Sequence, residues 1–270
     1  MESSNFQRVA PVRPVAPYIG GKRNLAKRLV ALIETIPHKT YAEPFVGMGG
    51  VFLRRSLKPQ AEVINDWSRE VSNLYRVLQV HYVAFLDWMR FQLTTRAEFE
   101  RLVGIDPETL TDLQRAARFL YLQKTAFGGK VTGRNFGVSH HRGGAFDLSK
   151  LAPMLEDLHV RMSGVIIERL PWQAFVARYD TAETLFYLDP PYWGSEDDYG
   201  AELFGRDQFA AMAEQLATIK GRFVLSLNDT PGVRETFRAF ELEEVTTTYT
   251  LSGQAQRAGE LIITGGRAAA

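Results

Sequence analysis

Apolar residues first fall into a helical rhythm at Leu25, Leu29, Leu32, Ile33 and Ile36, and Pro37 closes the run. The spacing predicts a helix within "GGKRNLAKRLVALIETI". The rhythm then shortens. "TYAEPFVGMGGVFL" reads as a strand from Tyr41 to Phe45, a glycine turn and the start of a helix, and "AEVINDW" as a second strand ending on Asp66. Ser68 stands where an N-cap belongs, ahead of "REVSNLYRVLQ". Strand, glycine turn, helix and strand within about thirty residues make a βαβ unit. Helical segments dominate from 80 to 160 (81–93, 96–103 and 112–127). They give way to the glycine-rich, basic "GGKVTGRNFGVSHHRGGAF", which has no helical period and predicts a long loop or small hairpin. Alternation resumes with "GVIIERL", a helix near 172–179, "TLFYLD", a helix over 207–220, "GRFVLSLND" and a helix over 231–239. Two late strands follow, "EEVTTTYTL" and "ELIITG". Strands alternating with helices require an α/β fold whose mostly parallel sheet is covered on both faces. The last two strands have no helix between them, which predicts an antiparallel pair.

Composition narrows this picture. With 270 residues, 45% apolar and 23% charged, the chain suits one large globular domain or one domain carrying an insertion. It has no cysteine, which excludes disulfides, Cys-type zinc sites and a thiol nucleophile, and fits a reducing cytoplasm. The N-terminal "MESSNFQRVAPVRPVAP" lacks the apolar core of a signal peptide, and its prolines predict a flexible lead-in over 1–16. No run approaches membrane-spanning length. The five histidines show no zinc-ligand spacing, so no metal is expected. The net charge of +1 conceals a pattern. Residues 1–60 hold ten Lys/Arg against three Asp/Glu, and 124–142 hold Lys124, Lys130, Arg134 and Arg142 with no acid. Residues 143–205 hold four basic and eleven acidic residues. A basic first segment and a basic loop suit a polyanion met on one side.

Ligands of open α/β sheets bind beyond the carboxyl ends of the strands. Glu43, the turn "FVGMGG", Asp66 and Asp189 all fall there. Gly47, Gly49 and Gly50 permit a sharp turn and a close ligand approach, although such a turn can equally be structural. The turn lacks the Lys-Ser/Thr of a phosphate-cradling P-loop. Asp66 is placed to meet ribose hydroxyls or to cap the next helix. "DPPY" is sharper. Pro190 and Pro191 stiffen the chain after Asp189, presetting the Asp189 carboxylate and the Pro190 carbonyl as acceptors beside the aromatic Tyr192. Such a corner suits a planar amine that must be held and stacked.

"YIGGK" (18–22), "AEPFVGMGG" (42–50), "IND" (64–66) and "DPPY" (189–192), in this order, resemble the Dam-like family of DNA adenine methyltransferases. The closing "SGQAQRAGELIITG" is similar to that family's final strands, and the resemblance covers most of 17–266. It implies a Rossmann-like methyltransferase sheet, formed by 17–80 and 161–270, with a mostly helical target-recognition domain inserted at 81–160. The implied methyl donor is S-adenosylmethionine. Carried over by motif, Tyr18 and Lys22 contact the donor, the strand end from Glu43 through Phe45 and Gly47 to Gly49 surrounds its methionine part, and Asp66 takes the ribose hydroxyls. Asp189 then lies between donor and target amine, and it forms the catalytic corner with Pro190 and Tyr192.

The implied chemistry is physically coherent. The exocyclic amine of adenine is a poor nucleophile because its lone pair is delocalised. Accepting both of its hydrogens, at Asp189 and Pro190, localises that pair most strongly as positive charge develops. In duplex DNA the base must first flip out, at a cost of a few kcal/mol, and Tyr192 would stack on it for about 1–3 kcal/mol. The missing cysteine speaks against methylation at cytosine carbon-5. An initial Asp in the tetrapeptide favours adenine over the cytosine amine, and over a protein glutamine amide, whose relatives carry an initial Asn. One departure stands out: Pro171-Trp172 replaces the Asp-aromatic pair that reads the donor's adenine, which weakens the donor contact and leaves a catalytically silent DNA-binding module as the rival reading. Double-stranded DNA would meet the insertion. Lys124 and Lys130 would position phosphates while Arg134 and Asn135 read base edges, with Arg142 a further DNA contact and His140 and His141 solvated or phosphate-facing. The expected setting is the cytoplasm, with the gene bacterial or phage-encoded.

Overall fold

The computed structural model describes residues 6–18, 22, 24–138, 143–194, 204–251 and 254–266. Residues 6–16 of the lead-in, expected to be flexible, are held in place. A short strand β1 (Gln7–Arg8) pairs with a later two-residue strand, Val9 N–H donates to the Ser56 carbonyl and Val12 N–H to that of Leu53, and Val12, Val15 and Ala16 are buried. Helix α1 (Ala26–Thr35) buries Leu29 and Ile33, as its spacing requires. Strand β2 (Thr40–Glu43) ends in the glycine turn. No full helix follows. A single 3₁₀ turn (Phe52–Arg54) leads to β3 (Leu57–Lys58), the partner of β1, and to β4 (Ala61–Asn65). Extended backbone wins here because its polar groups find other partners: Glu34 Oε1 accepts from the N–H groups of Ser56 (2.7 Å) and Leu57 (3.1 Å).

Helices α2 (Arg69–Val80), α3 (Tyr82–Met89), α4 (Arg96–Gly104), α5 (Asp112–Thr125) and α6 (Leu148–Arg161) follow. Ser68 does sit at the N-cap of α2, but its side chain makes no cap bond. Thr95 caps α4, and Thr111 with Gln114 forms a capping box on α5. Helix α6 was not expected: Leu151, Leu155 and Leu158 keep the helical period, but Pro153 breaks the appearance of one. The helices between 81 and 160 share their core with the sheet, since Phe119, Leu120 and Tyr121 of α5 join Leu74 and Leu78 of α2 and Tyr41 and Ile64 of the strands.

The remaining elements are β5 (Ile166–Glu168), α7 (Trp172–Tyr179), β6 (Thr184–Leu188), α8 (Asp207–Leu216), β7 (Arg222–Asn228), α9 (Pro231–Thr236), β8 (Glu241–Leu251) and β9 (Gln254–Gly266). The seven-stranded sheet runs β5-β4-β2-β6-β7-β9-β8. Its first five strands are parallel, and β9 enters between β7 and β8, antiparallel to both. Both faces are covered. On β6, Leu185 and Tyr187 enter the α1/α2/α5 core, whereas Phe186 and Leu188 join Phe175, Phe209 and Phe237 of α7, α8 and the end of α9. The strand order reverses between β2 and β6, so a crevice opens where Glu43 and Asp189 emerge. Among the described residues no helix is long and apolar enough to cross a membrane.

Candidate active site

A cleft of about 980 Å³ lies beyond the carboxyl ends of β2, β4 and β6. Tyr18, Lys22, Glu43, Phe45, Gly47, Asp66 and Asp189 all line it, so sequence positions as far apart as 18 and 189 converge. The turn after β2 is built by local necessity. Gly47 has φ +49°, and a Cβ there would come within 3.2 Å of the Tyr18 ring. Asp66 ties this turn to the next helix, Oδ2 accepting from Gly47 N–H and Oδ1 from Ser68 N–H, both at 2.9 Å. Burial pushes Asp66 up to about 6 despite those two bonds. Gly49, expected in the same contact set, does not line the cleft; a Cβ there would meet Leu53 at 2.7 Å and the Tyr75 hydroxyl at 2.9 Å. Glu43 is buried and accepts the Tyr41 hydroxyl at 2.6 Å, and burial pushes its carboxyl up to about 8. It is therefore a protonated donor at neutral pH.

The Asp189 corner holds more charge than expected. Lys22 Nζ lies 2.9 Å from Asp189 Oδ1 and 3.7 Å from Glu260 Oε2, donates to the Tyr192 hydroxyl and sits 4.0 Å from that ring's centroid. Ser226 Oγ also donates to Asp189 Oδ1, at 3.2 Å. Burial pushes Asp189 up to about 6, opposed by Lys22 and reinforced by Glu260. The Asp189 side chain keeps 19% of its exposure, enough to open onto the cleft. Pro190 is buried and, like Tyr192, is not among the cleft-lining residues; Pro191 is. Tyr192 stands behind Lys22, its hydroxyl raised well above the ordinary range by burial and by the charges of Asp189 and Glu260. Paired bonds of 2.9 Å between the Asn228 side chain and the Trp193 backbone fasten the chain beyond the prolines.

A smaller recess of about 200 Å³ shares Phe45, Trp67 and Phe204 with the cleft and adds Pro171, Trp172 and Gln208. Trp172 is 5% exposed, and its indole N–H reaches Gln208 Oε1 at 3.1 Å, so it both fills the core and walls the recess. Asn65 shapes this region by donating to the carbonyls of Pro44 (2.9 Å) and Leu170 (3.1 Å) while accepting from Leu170 N–H (2.7 Å).

The basic stretch forms a small hairpin after α5, closed by Phe127 N–H to the Asn135 carbonyl and Gly137 N–H to that of Thr125, both 2.8 Å. Lys130 and Asn135 are exposed. Arg134, expected at base edges, turns inward onto Gln123 and the Lys130 carbonyl, and burial lowers its pKa. Lys124 lines the cleft instead of the outer surface. Arg142, His140 and His141 lie outside the described residues. Asn65, Ser226, Asn228 and Glu260 escaped sequence reasoning; the one legible signal was a polar or acidic residue inside an apolar strand.

Two curated relatives extend over nearly the whole chain. Type II methyltransferase M.CviBI of Paramecium bursaria Chlorella virus NC1A is 24% identical, covering 94% of this chain and 97% of its own. Type II methyltransferase M1.LlaDCHI of Lactococcus lactis subsp. cremoris is 25% identical, covering 94% and 95%. Among solved structures, TrmN from Thermus thermophilus aligns with 88% of this chain and 48% of its own at 11% identity and a TM-score of 0.37, too distant to bear on the site. The profile of the D12 class N6 adenine-specific DNA methyltransferases matches residues 18–251, and the chain belongs to that family.

Proposed function

We propose that the enzyme transfers a methyl group from S-adenosylmethionine to the N6 amine of an adenine extruded from duplex DNA, and that the 980 Å³ cleft holds donor and base together. The observation that carries this reading is the convergence of Asp189 with the glycine turn and Asp66 on one cleft at the strand-order reversal. The cleft fits the donor. Gly47 provides a cradle that a Cβ would fill, the aromatic recess suits a purine, and each Asp66 oxygen retains a second lone pair for a ribose hydroxyl. Tyr18, Glu43, Phe45, Gly47 and Asp66 would hold it. When bound, it supplies an electrophilic methyl group on a sulfonium.

The chain's own residues do the rest. Asp189 accepts one amine hydrogen and the Pro190 carbonyl the other, an arrangement that strengthens as the nitrogen becomes positive. Among the described residues no hydrogen bond occupies that carbonyl. A carboxyl near 6 can also take the proton that a methylated nitrogen must shed. Tyr192 backs Lys22 at the edge of the base site. Gly128, Val131 and Met154 bring the insertion into one wall of the cleft, which supports its role on DNA. Lys130 and Asn135 are the exposed contacts, and Lys124 reaches the phosphate nearest the extruded base.

Tritiated-methyl transfer to duplex DNA, with nucleoside analysis, should place label on N6-methyladenine. Asp189→Ala should lower transfer by about 100- to 1,000-fold while DNA retention is kept. Full turnover in that variant would sink the mechanism. Lys130→Ala should reduce the salt slope of DNA binding by about one.

A further inference from the structure

Glu260 has no part in the mechanism above and lies beyond residues 18–251 of the family match. It stands on β9 opposite Asn228 and Val245, is 1% exposed, and precedes the buried Leu261, Ile262 and Ile263. Its Oε1 accepts the Thr247 hydroxyl at 3.4 Å, and the carboxylate lies close enough to the Tyr192 hydroxyl to raise its pKa. Its Oε2 accepts no hydrogen bond, and Lys22 Nζ is 3.7 Å away. A carboxylate placed in a sheet interior with one oxygen left this way is costly unless its charge is used.

We propose that Glu260 is a positioning residue for the transfer reaction: it shares the Lys22 ammonium with Asp189, so that Lys22 fixes the Asp189 carboxylate without cancelling its charge. The idea rests on Asp189 being the acceptor of the target amine. Lys22 Nζ and Ser226 Oγ both grip Oδ1, which leaves Oδ2 for the amine. With Lys22 alone, Asp189 would be half of a neutral pair and a weak acceptor. A second buried carboxylate brings the trio to a net charge of −1, and the positive charge developing on the amine then meets an uncancelled field in a site of low dielectric. Among the described residues, the titratable groups facing Asp189 are Lys22 from the N-terminal segment, Glu43 from β2, Tyr187 from β6, Tyr192 after it and Glu260 from β9. Glu43, pushed up to about 8, is mostly protonated at pH 7 in the ligand-free protein, so a titration without donor reads Glu260 rather than Glu43.

The test needs neither donor nor DNA. Protein labelled with ¹³C at Asp carboxyls is titrated by NMR, the Asp189 signal being assigned by its loss in Asp189→Asn. The expected midpoint is about 6 in the native protein. It should fall in Glu260→Gln and rise in Lys22→Met. The double variant removes both charges of the pair, so neither is left uncompensated should Glu260→Gln fail to fold, and its midpoint should lie below that of Lys22→Met. Midpoints unmoved by removal of Glu260 would overturn the proposal. In transfer assays Glu260→Gln should lower plateau kcat about tenfold and displace the acidic limb of kcat/KM, which reports the free enzyme, downward by the NMR shift. A loss of kcat with an unmoved limb would mark a merely structural residue. Asp189→Ala that still transfers would sink the acceptor role itself, whereas a silent Asp189→Ala with unmoved midpoints sinks only the role of Glu260.

Discussion

Replacing Glu43 with Gln isolates one buried acid whose cost can be worked out. The side chain is 1% exposed, Tyr41 donates to it at 2.6 Å, and burial raises its carboxyl from 4.5 to about 8. A raised acid binds its proton more tightly in the folded state than in the unfolded one. Its contribution is therefore fully present below about 4.5 and lost as pH rises through about 8. Between pH 6.5 and 8 the linkage relation gives a loss of about 1–2 kcal/mol from this group alone. Asp66 and Asp189 are raised only to about 6, so most of their own loss is complete before that window opens. Gln keeps an oxygen for Tyr41 and an N–H for the cleft but cannot ionise. Urea denaturation of ligand-free protein at the two pH values should show the native protein losing about 1–2 kcal/mol more than Glu43→Gln. Equal losses would refute the reasoning, because the carboxyl would then be ionised in both states throughout.

Other substitutions probe the frame around the cleft. Gly49→Ala, at φ +73° with Leu53 and Tyr75 in the way, should destabilise by about 2–4 kcal/mol in denaturant titration, whereas Gly104→Ala, with open space around it, should be neutral or slightly stabilising. Asn65→Ala removes three hydrogen bonds that join the strand ends and should cost about 2–4 kcal/mol, with KM for the donor rising. Glu62→Gln should cost about 3–5 kcal/mol, since the buried Glu62 carboxylate pairs with both Arg55 and Arg161. A loss below about 1 kcal/mol would mean those guanidiniums find other acceptors.

The order of elements was legible because hydrophobic period and turn residues act locally. Leu25, Leu29 and Ile33 specify a helix wherever it packs, and the largely apolar β6, buried at every position, specifies a strand covered on both faces. Where the reading went astray, distant partners decided. Residues 6–16 carry prolines and no helical or strand period, yet they are fixed by the backbone of Leu53 and Ser56, and the chain after the Phe52–Arg54 turn runs extended because Glu34 accepts from the N–H groups of Ser56 and Leu57. The acids at the strand ends were visible for a related reason, since topology puts strand ends at the crevice regardless of loop detail. Side-chain direction was not visible. Arg134 turned inward onto Gln123, near the end of the helix that leads into its hairpin, and Lys22 met Glu260 across 238 positions of sequence.

Three carboxyls raised by burial, Glu43, Asp66 and Asp189, line one cleft and each weakens the ligand-free fold at neutral pH. No packing requirement explains that concentration, because apolar residues at the ends of β2, β4 and β6 would fill the same space more cheaply. The arrangement is intelligible as a site kept ready for a cation and a planar amine. A ligand carrying positive charge offsets the desolvation of these acids, so binding should draw their pKa values back toward the ordinary range and release protons. Donor binding measured by calorimetry in buffers of different ionisation enthalpy should therefore show proton release near pH 6.5, diminished in Glu43→Gln. Uptake instead of release would mean that the acids in this cleft serve the fold and not the ligand.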